Sequence, residues 1–81
     1  MIISHRINRS RFHRRDGLLN AYGLACGYVQ KKAVGDSSVT LWQEHGTYHV
    51  RQHSDSLGRI FWNSFSTMGE AVKRYRKARS L

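Results

Sequence analysis

Apolar positions change their period along the chain, and the change divides it into elements. Between residues 17 and 34 two periods compete. Leu18, Tyr22, Cys26 and Val29 fall at helical spacing, while Leu24, Cys26 and Tyr28 alternate as in a strand. Gly17, Gly23 and Gly27 each disfavour a helix interior by ~1 kcal/mol. The pattern therefore predicts a short helical or irregular start from Leu18, a strand over 24–32, and a turn at Gly35-Asp36-Ser37. Three clearer strands follow. Residues 38–44 carry Val39, Leu41 and Trp42; 47–53 carry Tyr48 and Val50; 59–65 carry Ile60, Phe61, Trp62 and Phe65. His45-Gly46 is read as a two-residue hairpin loop and Asp55-Ser56-Leu57-Gly58 as a four-residue one. A last helix is capped by Ser66 or Thr67, has Glu70 in its first turn, and is basic from 73 to 79, as the helix dipole favours.

Loop length sets register, and register sets which side chains share a face. A His45-Gly46 loop places Trp42 opposite His49, Leu41 opposite Val50 and Thr40 opposite Arg51; the next loop places Gln52 opposite Phe61 and Tyr48 opposite Phe65. Both hairpins then put Val39, Leu41, Tyr48, Val50, Phe61 and Phe65 on one face. The helical stripe Met68, Ala71, Val72 and Tyr75 is shaped to cover it. The other face holds Thr40, Trp42, His49, Arg51, Ile60, Trp62 and Ser64, with His45 and His53 near its edges. Two readings stand for it: the N-terminal segment folds across and buries the tryptophans, or the face is left open to a partner. The fold class expected is α+β, an antiparallel sheet of three to four strands in meander order with the C-terminal helix packed on one face. A basic N-terminal arm, 1–16, precedes a single domain over 17–81.

Composition adds the partner class. A chain of 81 residues has room for one core, and its formal charge of +9 points to nucleic acid, an anionic membrane face or an acidic protein. No apolar run approaches the ~20 residues of a membrane-spanning helix, and Met1-Ile2-Ile3 is too short for a signal-peptide core, so a soluble cytoplasmic protein is expected. Cys26, the single cysteine, cannot form an internal disulfide or a cysteine-based zinc site, and it is read as a small buried hydrophobe. On one strand His49 and His53 stand about 13 Å apart at ~3.3 Å per residue, too far to share an ion. Asp16, Asp36, Glu44, Asp55 and Glu70 mostly occupy turns or caps, and none pairs as a general acid and base. Neither catalysis, a metal nor a cofactor is expected.

What remains is binding. Arg6, Arg9, Arg11, Arg14 and Arg15 in the arm, Arg51 on the sheet, and Lys73, Arg74, Arg76, Lys77 and Arg79 on the helix are the candidate phosphate contacts for DNA or RNA. Trp42, His49 and Trp62 are candidates to stack on bases or anchor a protein partner. A homodimer through the tryptophan face or a strand edge is also compatible with the pattern. The order of elements resembles the double-stranded-RNA-binding domain and the three-stranded arm-binding modules of phage integrases. Where the first family opens its second helix with a lysine-rich motif, this chain reads Ser66-Thr67-Met68-Gly69-Glu70. The blocks Tyr22-Gly23-Leu24-Ala25-Cys26-Gly27-Tyr28, Val39-Thr40-Leu41-Trp42, Tyr48-His49-Val50-Arg51 and Phe61-Trp62 look like small accessory proteins encoded by bacteriophages. That resemblance implies an alternative function, an inhibitor that binds a host protein or a host defence or nucleoprotein complex.

Overall fold

In the computed structural model, which describes residues 12–79, the strands form one four-stranded antiparallel sheet in the order β1-β2-β3-β4. The elements are α1 (Ala21–Ala25), β1 (Gln30–Val34), β2 (Ser37–Glu44), β3 (Thr47–Ser54), β4 (Gly58–Phe65) and α2 (Met68–Lys77). The fold is α+β, with a meander sheet and a C-terminal helix. Trp42 pairs with His49, Leu41 with Val50, Thr40 with Arg51, Gln52 with Phe61 and Tyr48 with Phe65, the register that the loops dictate. The β2–β3 turn is tight because His45 (φ 53°) and Gly46 (φ 79°) both adopt positive φ, which a primed two-residue turn needs at both central positions.

Three local expectations are corrected. The strand expected over 24–32 begins only at Gln30, because Asn20 caps a helical turn first: its side chain accepts from Gly23 N at 2.8 Å, and Leu24 becomes fully buried as a helical residue. The turn before β2 is Gly35-Asp36 alone, and Ser37 already pairs with both Val34 and Ser54. The β3–β4 loop has three residues instead of four. Ser54 Oγ accepts from the backbone N–H of Ser56 (3.3 Å) and Leu57 (3.2 Å), which closes the loop early and lets Gly58 pair with Ser54 at φ 79°. A register shift at Gln52/His53 then absorbs the extra residue, so the pairing beyond it is as the longer loop requires.

One face of the sheet carries the core. Val39, Leu41 and Val50 are fully buried with Leu24 and Ala71, and Leu19, Val72, Tyr75 and Ala78 complete the cluster. Phe12, Leu18, Phe61, Phe65 and Met68 pack around it. Each large aliphatic side chain removed from water this way contributes about 1.5–3 kcal/mol. The helix α2 lies on this face through Ala71, Val72 and Tyr75, and it starts where Thr67 Oγ1 accepts from Glu70 N and donates to Glu70 Oε1 at 2.8 Å. Buried Gln52 ties the far end down: its Nε2 donates to Ser37 Oγ (2.8 Å) and to the Arg79 carbonyl (3.0 Å). No helix among the described residues is long and apolar enough to cross a membrane.

Candidate functional site

The described N-terminal residues cover the core face and leave the other to the strands alone. Phe12, Leu18, Leu19 and Leu24 all join the core cluster. A hydrogen bond from Asn20 N to the Phe12 carbonyl (2.9 Å) and a bridge between His13 and Leu19 hold the segment there. Among the described residues, the opposite sheet face therefore has no second layer. Residues 1–11, with the expected arginines Arg6, Arg9 and Arg11, lie outside the described residues.

Register assembles this face in rows that run across the strands. Lys31, Thr40, Arg51 and Trp62 form one row, and Trp42, His49 and Ser64 the next. Directly paired side chains in neighbouring strands stand close enough to touch, and here they do. The Trp42 and His49 rings stack with centroids 5.1 Å apart; Trp62 meets Trp42 edge-on at 5.5 Å and His49 edge-on at 6.1 Å. Polar contacts fix the arrangement. His49 Nδ1 lies 2.8 Å from Ser64 Oγ and accepts from Trp62 Nε1 at 3.4 Å, which places the proton of the neutral ring on Nε2. Trp62 keeps 46% of its surface exposed, the larger share of the two tryptophans.

Cations rim the aromatic group. The Arg51 guanidinium sits 5.8 Å from the Trp42 ring centre and the Arg59 guanidinium 5.9 Å from that of Trp62. Arg51 Nε is shut off from solvent, and no hydrogen bond to it is formed by any described residue. Arg59 pairs with His53 and reaches this face because of the bulge, and Lys31 reaches it because the two-residue turn Gly35-Asp36 pairs it with Thr40. Both residues escaped the sequence reading, since each depends on a turn length or a bulge that periodicity leaves ambiguous. Glu44, at the end of β2, is the one carboxylate among the paired residues of this face, and it is engaged by Trp42 Nε1 and His45.

The other candidate residues do not join this group. The helix cations stand on the far layer, separated from the tryptophans by the sheet and the core. Arg74 is occupied there, its guanidinium 3.7 Å from the Phe61 ring centre and its Nε 3.1 Å from Asn63 Oδ1. Arg76 is ion-paired and hydrogen-bonded to Asp16, and Arg14 Nε lies 3.9 Å from the same carboxylate. Lys73, Lys77, Arg79 and Arg15 are exposed, and no described carboxylate pairs with them. Cys26 is exposed as well, a correction to the buried role expected: it follows the last residue of α1, where the helix turns outward into Gly27 at φ 97°. Among the described residues no three His, Cys, Asp or Glu side chains group as metal ligands.

No family model, curated protein or solved structure matches this chain, so the geometry alone carries the functional reading.

Proposed function

We propose that this chain is a small nucleic-acid-binding protein that contacts phosphate through arginine and lysine clusters on both of its layers. The observation that supports it best is Arg51. Its guanidinium is half-buried against Trp42, its Nε has no hydrogen-bond partner among the described residues, and no described carboxylate pairs with its charge. No described carboxylate answers the charge of this guanidinium, so an anionic group arriving from outside supplies the missing partner. Lys31 and Arg59 on the same face, Lys73 and Lys77 on the helix, and Arg79 just past its end likewise lack a described carboxylate. Six of the cations behind the net charge of +9 are thus left uncompensated by the described acids.

A salt titration against mixed-sequence DNA and RNA tests the reading. If those six cations all meet phosphate, log K falls against log salt with a slope of roughly −4 for single strands and −5 for duplex. Absence of binding to either nucleic acid at low salt refutes it. The rival is a phage-type inhibitor docking on a host protein or nucleoprotein complex. It draws on the exposed Trp62 beside Arg59, since tryptophan with arginine is the composition of protein hot spots. It gains the ground if a host protein is captured after nuclease treatment while naked nucleic acid does not bind.

A further inference from the structure

Resting on the nucleic-acid reading, we infer that the open sheet face is a stacking site for an unpaired strand, with Trp62 as the ring that takes a base. Three features of the face select this ligand over a duplex. First, rings from β2, β3 and β4 adjoin one another and cations stand beside them. Lys31, Arg51 and Trp62 lie in one cross-strand row, and Arg59 flanks Trp62 from the side of His53. From β1 to β4 that row spans roughly 14 Å at ~4.8 Å per strand. Such a width suits the two or three bases that four-stranded sheets are known to stack in RNA recognition. A base inside a duplex has both of its faces covered by neighbours, so only an unpaired one can lie on the ring.

Second, the ring is held in place before any ligand arrives. Trp62 Nε1 donates to His49 Nδ1, His49 is anchored to Ser64, and Trp42 closes the inner edge of Trp62 at 61° between planes. Trp42 itself is a poorer platform, because His49 stacks on it at 27° and it is the less exposed of the two. Trp42 and His49 are therefore positioning residues, and Trp62 makes the contact. Third, the charge is complementary to a backbone threading past the ring: Lys31, Arg51 and Arg59 carry no ion pair among the described residues, and the single nearby acid, Glu44, is tied to Trp42 and His45. Stacking and phosphate neutralisation do not read the sugar, so DNA and RNA single strands bind alike.

The experiment measures fluorescence anisotropy with a labelled mixed-sequence oligonucleotide of about ten nucleotides, site sizes of ~4–16 being usual, free or annealed to its complement. It uses the wild-type chain, Trp62→Ala, Trp62→Phe, and the helix variant Lys73→Ala/Lys77→Ala/Arg79→Ala. The expected result is tighter binding of the single strand than of the duplex. Trp62→Ala then weakens the single strand ~5- to 150-fold, the range of one base–aromatic stack, with Trp62→Phe retaining most of the affinity. Duplex affinity changes less than two-fold in both, whereas the helix variant weakens the two ligands in parallel. Equal loss of both ligands in Trp62→Ala, no loss of either, or duplex binding as tight as single-strand binding overturns the inference while leaving phosphate binding standing. Failure of both ligands to bind the wild-type chain at low salt instead removes the nucleic-acid reading itself. Should Trp62→Ala fail to fold, Arg59→Ala, at an exposed position, must still weaken the single strand more than the duplex.

Discussion

Removing one hydroxyl from the core should change how the protein responds to alkali. Tyr75 is 2% exposed, at the centre of the contact between α2 and the sheet. Burial pushes its phenol pKa above the ordinary value of 10.0; the nearby Gln30 side chain opposes the shift only in part, and no described residue meets the hydroxyl at hydrogen-bonding geometry. The folded state therefore holds the Tyr75 proton at a pH where the unfolded chain has begun to lose it. More protons are bound in the folded state, so stability from this group is fully present below about pH 10 and is lost as pH rises from there towards the folded pKa. The loss can be no steeper than ~1.36 kcal/mol per pH unit for one proton. Tyr75→Phe keeps the ring, and with it the Lys32 ammonium 4.7 Å above its centre, but has no proton to lose. Urea unfolding followed by circular dichroism should be measured for both proteins at steps from about pH 8 to pH 11. Every other group is common to both chains, so the difference between the two isolates Tyr75. That difference should be flat below about pH 9.5 and shift against the wild type by up to ~1 kcal/mol by pH 11. Parallel curves over the whole range refute the reasoning.

Two further outcomes are expected. Thr67→Ala removes the oxygen that accepts from Glu70 N and donates to Glu70 Oε1, and should cost ~1 kcal/mol in thermal or urea unfolding; Thr67→Ser should restore most of it. Cys26, exposed after α1, should react with a thiol-specific reagent in the native state as readily as after unfolding; protection by more than ten-fold would show that the thiol is covered.

The sheet was legible because two turns punctuate it and its apolar positions alternate. His45-Gly46 has the residues for a primed turn, so the pairing of Trp42 with His49 and of Leu41 with Val50 follows from local chemistry alone. The same holds for α2, whose stripe Ala71, Val72 and Tyr75 and cap at Thr67 are all local signals. Residues 17–34 were not legible in this way. There the helical and strand periods overlap, and the choice fell to Asn20 capping a turn and to Leu24 finding a place in a core made by distant strands.

The candidate site divides along the same line. Alternation in single strands sufficed to put Trp42, His49, Arg51 and Trp62 on one face. That Lys31 and Arg59 join them was decided by the length of the β1–β2 turn and by a bulge, both products of packing and loop closure. The charges show the division most plainly. Composition set the surplus of +9, but only the folded chain places Asp16 beside Arg14 and Arg76, sets Arg74 on Phe61, and leaves Arg51 Nε without an acceptor among the described residues. Charge is a sum over residues and can be read in one dimension. Whether a charge is spent inside the protein depends on distances between groups far apart in the chain, and these exist only once the layers have packed.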